Sequence, residues 1–456
     1  MRRMAFLYPH ISPKWGLAIF LGLLAQPLWA LDLKSAFEIG KQNDPAYMGA
    51  MAFANAIDEL LPQAKALMLP NLALSSSSNQ VNLDKSEGTA TSPALEYSST
   101  NTTITLRQSL YRKSQWVQYE QAQKQQMSAK AERWRSESEL LSRITSFYFE
   151  AAYAQETLKY VQALQDAMLA QMKAAQRNFE LGQGTRTDVD EARVRLDQAN
   201  VQALQLRQQA RYSQQQLALT LSQPINALVP VDPALLVTTA PGKDLQAFID
   251  LAYLNNPEAV SGRTKLEIAK LEVAKAQSAH FPTLDWITQR SFSKSENVLT
   301  PMASYNTVQN GVQLSVPLFS GGYVSSTIRQ STHALERETQ MLEQTLRNLS
   351  LQVRKEYQNI TEGMARIQAM EQSERSSEQL VLSTQKGVLA GTRTTTDVLN
   401  AFQRLAESRR DLAQARYQYL LAHQKLLLLS GESTTDVVLV INKMLSGSIS
   451  LSSALP

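Results

Sequence analysis

A chain of 456 residues has room for two or three ordinary domains. Its net charge is +4, and Arg2, Arg3 and Lys14 near the start supply most of it, so the rest is too weakly basic to imply a nucleic-acid partner. The chain has no cysteine, which excludes a disulfide framework, a thiolate metal site and a cysteine-linked lipid anchor, and His10, His280, His333 and His423 are too scattered for a metal cluster.

Residues 1–30 read as an export signal. Met1 to Lys14 is basic, Trp15 to Ala25 is apolar, and a small residue stands at the expected cut after Ala30. The apolar run falls well short of the ~20 residues that a spanning helix needs. No later segment is apolar enough for such a helix, and an exported chain without one is periplasmic, secreted or an outer-membrane β-barrel.

Leu31 to Asn43 has the pattern of a short amphipathic helix, with Leu33, Phe37 and Ile39 apolar between Lys34, Glu38 and Lys41. Asp44-Pro45 is a helix start, and helix is predicted to about Leu67, before Pro70. Two strands follow, Leu72 to Leu83 and Tyr97 to Leu110, joined by the polar loop Asp84 to Glu96; Ile104, Leu106 and Leu110 share one side. Arg112 to Leu181 then holds neither proline nor glycine, and a helix over that span would be about 100 Å long. It breaks at Gly182-Gln183-Gly184-Thr185-Arg186-Thr187-Asp188. The returning arm carries a seam of Val189, Ala192, Leu196, Ala199, Ala203, Leu206, Ala210 and Leu217.

Ser222 to Asp244, with Pro224, Pro230, Pro233 and Pro241, reads as an irregular linker, bounded at 223–244. The pattern then recurs. Leu245 to Asn255 is a short helix, Asn256-Pro257 a start, and helix is predicted to Ala279, before Pro282. Leu284, Trp286 and Phe292 alternate with Asp285, Gln289 and Ser291, and Val308, Val312, Leu314 and Val316 alternate with Gln309, Gly311, Gln313 and Ser315; the loop Ser293 to Ser304 joins these strands. A second long helix runs from Gly321 to Leu389 and breaks at Gly391-Thr392-Arg393-Thr394-Thr395-Thr396-Asp397. Its return carries Val398, Ala401, Leu405, Ser408, Leu412, Ala415, Tyr419, Ala422, Leu426 and Leu429. After Gly431, Val437 to Ile441 has the composition of a short strand and Ser446 to Pro456 that of a disordered tail.

Residues 31–222 and 245–430 superpose with a shift of about 210 residues, far longer than a solenoid repeat, so a duplicated unit is expected: helix, β-hairpin, long helical hairpin. Four amphipathic strands cannot close a barrel, since the smallest have about eight. The chain must oligomerise, and a trimer supplies about twelve strands. The fold class expected from the residues is mainly α with four β-strands per chain; pattern alone suits a membrane barrel wall and an ordinary amphipathic sheet on a soluble core equally, and the export signal with no globular domain for the sheet to cover favours the barrel wall.

Taken together, Asn43-Asp44-Pro45 and Asn255-Asn256-Pro257, the junction Val316-Pro317-Leu318-Phe319-Ser320-Gly321-Gly322, the tip Gly391 to Leu399 and the duplication make the chain resemble the TolC family of outer-membrane channels over nearly all of its mature length. The resemblance implies a fold that is mainly α with membrane β, a trimeric 12-stranded β-barrel continued by a 12-helix periplasmic α-barrel, set as a homotrimer in outer-membrane lipid as the exit duct of a tripartite efflux pump or a type I secretion system. Its implied partners are a periplasmic adaptor (membrane fusion) protein and an inner-membrane pump of RND or ABC type. It implies that Asp397 belongs to the ring narrowing the periplasmic entrance. The next ring position, often a second Asp, is Asn400 here. It implies that Arg393 helps hold the entrance closed, with a partner at Asp188 of the neighbouring hairpin. The often aromatic site three before Gly391 is Val388 here. Gly182, Thr185, Arg186, Gly391, Thr392 and Thr394 form the tips that would meet an adaptor.

Elementary physics gives Asp188 and Asp397 a plainer role as helix N-terminal caps, compatible with facing a pore. Phe147-Tyr148-Phe149 reads as helix packing. The sequence holds no nucleophile triad, metal motif or phosphate loop, so no enzyme activity and no cofactor is expected. The competing reading is a periplasmic coiled-coil adaptor or structural protein, but such chains flank their hairpins with compact β domains. Cargo is not specified by the sequence.

Overall fold

The computed structural model describes residues 30–83, 86–87, 90–91, 95–236, 242–295, 303–447 and 449–450. Residues 1–29 of the expected signal peptide, parts of the two inter-strand loops and the linker, and the tail beyond Ser450 lie outside the described residues.

Local signals start the helices where the sequence places them. In α1 (Leu33–Asn43) the Asp32 carboxylate accepts the N–H of Ser35 at 3.0 Å. In α2 (Pro45–Asp58) the Asp44 carboxylate accepts that of Tyr47 at 2.8 Å, with Pro45 in the first turn, where its missing N–H costs nothing. The helix expected to run unbroken to Leu67 is interrupted at Glu59. Pro62 has no N–H for the Asp58 carbonyl and crowds it, so a separate α3 (Leu60–Ala66) forms. The strand β1 (Asn71–Leu83), the short outer pair β2 (Ser86–Glu87) and β3 (Ala90–Thr91), and β4 (Leu95–Tyr111) follow. Then come α4 (Lys113–Glu180), whose 68 residues span about 100 Å, and its return α5 (Arg186–Leu221). The linker carries β5 (Ala227–Leu228) and α6 (Pro233–Leu236).

The second half runs α7 (Leu245–Asn255), α8 (Pro257–Ser278), β6 (Thr283–Lys294), β7 (Ser304–Ser315), α9 (Tyr323–Leu389) and α10 (Thr395–Leu429), and closes with α11 (Thr434–Asn442) and β8 (Ile449–Ser450). Asn256 caps α8 by accepting the Glu258 N–H at 2.8 Å. The α4–α5 and α9–α10 pairs are antiparallel hairpins, α2 and α3 pack along α4, and α8 packs against both α4 and α9. The seams are buried where the period places them: Val189, Ala192, Ala199 and Ala203 in one hairpin, Val398, Ala401, Leu412 and Tyr419 in the other.

The four long strands form one antiparallel sheet in the order β1-β4-β6-β7. Its register sets Leu72 against Leu106, Leu74 against Ile104, Trp286 against Val312 and Leu284 against Leu314. Because side chains alternate across a strand, these residues share one face, and the opposite face carries Ser75, Thr103, Asp285, Ser291 and Gln313. Trp286, Phe292, Val312 and Leu314 are all exposed on the apolar face of the isolated chain. On the polar face, the buried Asp285 carboxylate takes Arg107 at 2.7 Å and Arg112 at 2.6 Å, tying the sheet to the residue before α4. Among the described residues no helix is long and apolar enough to cross a membrane.

Two further expectations are corrected. Val437–Ile441 is helical, not a strand. Its β-branched residues favour extended backbone in isolation, but α11 packs against α1 and α10 and buries Val437, Val438 and Ile441 on one face, and that packing overrides propensity. Nor are the linker and tail wholly irregular, because Ala227 and Leu228 pair with Ser450 and Ile449, and Leu31 bridges to Leu228.

Tyr148 holds this junction. Its hydroxyl lies 2.7 Å from the Leu31 carbonyl and 2.9 Å from that of Val229, and it accepts the Val229 N–H at 2.9 Å. Tyr148 and Phe149 are fully buried in the main core, beside Leu33, Phe37, Leu217 and Leu221, which agrees with helix packing. Tyr148→Phe keeps the ring but removes these bonds, so a loss of about 1–3 kcal/mol is expected. A lower thermal midpoint at unchanged helical circular dichroism is the expected result, and an unchanged midpoint would show that the hydroxyl does not hold the junction.

Candidate functional site

The two hairpin tips are built alike. At the end of α4 the Gln183 N–H donates to the Asn178 carbonyl at 2.8 Å and the Gly182 N–H to Phe179 at 3.0 Å. At the end of α9 the Thr392 N–H donates to Gly387 at 2.9 Å and the Gly391 N–H to Val388 at 3.0 Å. This closure places Gly182 and Gly391 at φ +73° and +70°, where a side chain is strained. Each return then opens with a reciprocal cap. Thr185 accepts the Asp188 N–H and Asp188 accepts the Thr185 N–H; Thr394 and Asp397 do the same, with the two Asp-to-Thr oxygen contacts at 3.2 Å. Side-chain space is filled in opposite ways. A Cβ on Gly184 would touch Asn178, while in the other tip the Arg393 side chain lies across Gly387, where a Cβ would come within 2.7 Å of it.

The capping role of Asp188 and Asp397 is therefore real. The Thr185 hydroxyl and then its N–H hold the Asp188 carboxyl below the usual carboxylate range. The Thr394 N–H, then its hydroxyl, and more weakly the Arg393 charge do so for Asp397. Depressed carboxyl pKa values mean that this contribution is complete above the ordinary Asp value and is lost as pH falls through the lowered ones.

Gly182, Thr185, Arg186, Gly391, Thr392, Arg393 and Thr394 are exposed; Asp188, Asp397 and Asn400 are half-buried. Within the chain Asp188 is engaged by Thr185, and among the described residues no ion pair joins it to Arg393. The hairpins are joined one turn or two further in, where Asn400 and Thr396 meet Arg195 and Glu191, two residues that sequence reading missed. Arg195 of α5 donates to Asn400 at 3.1 Å and to Gln403 at 3.3 Å, and Thr396 of α10 donates to Glu191 at 2.7 Å. Beside these bonds Leu399 is buried with Val189 and Ala192, and Phe402 packs against the same cluster. Arg195 and Glu191 flank the seam positions Leu196 and Ala192, the edge positions that carry polar pairs between packed helices. That spacing was the available signal, but it does not say which α10 residues they meet.

The tips thus offer a rigid polar rim with a cross-braced inner turn. Among the described residues there is no cluster of potential metal ligands, and the described cavities are shallow interhelical grooves lined by mixed polar and apolar side chains.

Comparison with known proteins bears on this architecture. The chain is 31% identical over 440 residues to the alkaline protease secretion protein AprF of Pseudomonas aeruginosa, covering 95% of this chain and 91% of that one. It is 27% identical over 427 residues to the outer membrane protein TolC of Vibrio cholerae, covering 92% and 95%. Its fold matches the crystal structure of the outer membrane protein VceC of Vibrio cholerae with a TM-score of 0.74 at 17% identity, over 88% of this chain and 96% of that one. The outer membrane efflux protein family matches residues 41–223 and 248–432. These matches span both hairpins and the sheet between them, and the chain belongs to the outer membrane efflux protein family.

Proposed function

We propose that this chain is the outer-membrane exit duct of an export machine, a passive homotrimeric conduit with its gate at the hairpin tips. The observation that carries the reading is the sheet: four strands with one apolar face and a free edge at β1 and at β7, mounted on helices of about 100 Å. Free edges carry unpaired N–H and C=O groups that lipid cannot satisfy, so a sheet of this kind enters a bilayer only by closing on copies of itself. Three copies give about twelve strands with apolar residues outward and polar residues toward water. The helices ask for neighbours too. Val194 and Val201, seven residues apart on α5, are more than half exposed in the single chain.

In this reading residues 31–222 and 245–430 are tandem copies of one unit, joined by the 223–244 linker and followed by the 431–456 tail. The three Asp397 carboxylates ring the periplasmic mouth and favour cations there, with Asn400 making a neutral second ring. Arg393 reaches the Asp188 of a neighbouring hairpin across the boundary between copies. Gly182, Thr185, Arg186, Gly391, Thr392 and Thr394 present the rim to a periplasmic adaptor. An inner-membrane pump of RND or ABC type supplies the energy. The likeness to a protease secretion protein supports a polypeptide cargo and a type I secretion role.

A strain lacking this chain is expected to lose an exported polypeptide from its medium. Unchanged medium with raised drug susceptibility would assign the duct to small molecules instead. Arg placed at Val312, on the apolar sheet face, should cost about 2–4 kcal/mol near the bilayer middle and reduce the yield of heat-modifiable trimers; full yield would remove that face from lipid. In planar bilayers, Arg393→Ala and Arg195→Ala should each raise opening frequency, and Asp397→Ala should lower cation preference. Wild-type conductance and selectivity in all three variants would confine these residues to capping and bracing.

A further inference from the structure

The bonds that join the two hairpins of one chain specify a second set that the chain cannot make with itself. The register that lays Gly182 on Gly391 and Asp188 on Asp397 also lays Thr187 on Thr396, Glu191 on Asn400 and Arg195 on Arg404. Within the chain, Arg195 reaches forward to Asn400 while Thr396 reaches back to Glu191. In a ring of alternating first and second hairpins, each second hairpin meets the first hairpin of the next copy by the same operation. Arg404 then takes the place of Arg195, and Glu191 of the next copy takes the place of Asn400.

We infer that Arg404 of one copy pairs with Glu191 of the neighbouring copy, making a charged seam between copies where the seam within a chain is apolar. Three observations converge on this. Arg404 is exposed and its side chain makes no hydrogen bond or ion pair among the described residues, although the side chain of its counterpart Arg195 makes two bonds. Glu191 uses Oε2 for Thr396, which leaves Oε1 to accept a guanidinium. The substitution of Asn400 by Glu191 at this place turns a neutral acceptor into a carboxylate where the donor is an otherwise unused arginine.

The surroundings differ in the same sense. Within the chain α10 offers Leu399, Phe402 and Ala406 to the cluster around Ala192. The corresponding positions of α5, which face the other neighbour, are Asp190, Arg193 and Asp197; Val194, where α10 has Gln403, is the one change in the apolar direction. A seam of apolar contacts resists separation in water, whereas ion pairs exchange readily for hydration.

The inference rests on the trimer reading, and the test separates the two. The native chain has no cysteine, so introduced pairs are the only thiols. An Arg–Glu pair holds its backbones further apart than a disulfide tolerates, so a short bismaleimide is the suitable linker. In purified detergent-solubilised protein, R404C combined with E191C should give covalent dimers and trimers on a boiled denaturing gel. R195C combined with N400C should link within the chain and run as monomer, and each single variant should stay unlinked. Unboiled gels and native mass spectrometry report assembly independently. Trimers that yield only monomers after treatment of the R404C/E191C protein would overturn the pairing; absence of trimers in the wild type would overturn the trimer reading instead. A charge exchange gives the second arm. R404E should raise opening frequency in planar bilayers several-fold, and adding E191R in the same chain should restore wild-type gating. An increase that E191R fails to reverse would count against the pair.

Discussion

A helix of about 100 Å buries only the stripe that its neighbours cover, and everything else here follows from how that stripe is kept occupied. The seam of α5 is mostly alanine: Ala192, Ala199, Ala203 and Ala210 are buried, but each removes little area from water. Much of the first hairpin's hold therefore comes from its two ends. At one end Gly182 and the Thr185–Asp188 cap close the turn. At the other, Leu217 and Leu221 join Tyr148 and Phe149 in the main core. The second hairpin carries larger seam residues, Leu405, Leu412 and Tyr419, along its return arm. The two arms have similar lengths and unequal grip.

What could be read from the sequence was local or periodic. The tips were legible because a glycine at positive φ followed by Thr-x-x-Asp is a self-contained device whose bonds all lie within a few residues. The strands were legible because alternation fixes the face of every side chain once one is placed. The Arg195–Asn400 and Thr396–Glu191 bonds were not, because they depend on how far α10 slides along α5, a distance set by packing among Val189, Ala192 and Leu399. The α11 segment misled for the same reason: Val437 and Val438 favour extended backbone, and only the face they bury against the rest of the core makes them helical. The break at Glu59 follows from Pro62, whose ring and missing N–H end the helix one turn earlier.

Two buried carboxylates, Asp285 and Asp44, sit where backbone geometry changes. Asp285 gathers Arg107 and Arg112 where strand gives way to helix. Asp44, next to Pro45, pairs with Arg143 at 2.6 Å where α1 hands over to α2. Arg409 and Arg416 reach Glu374 and Glu371 across the second hairpin. The pairs at the two junctions bury one carboxylate each and leave the guanidinium partly in water, an arrangement that fixes orientation and adds less to stability. The polar framework thus sets angles between elements whose cohesion comes from apolar seams.

The small strand pair β5–β8 ties early and late parts of the chain together and so bears on the order of folding. Leu31 bridges to Leu228, whose strand in turn pairs with Ile449, so residues more than 400 positions apart meet beside Tyr148 of α4. Contacts this distant in sequence lose the most loop entropy on closure and form slowly. The helical hairpins, by contrast, close over turns of a few residues and can zip as soon as each emerges from synthesis or translocation. Until Ile449 arrives, a nascent chain holds two finished hairpins and an open centre, and the central knot is tied last.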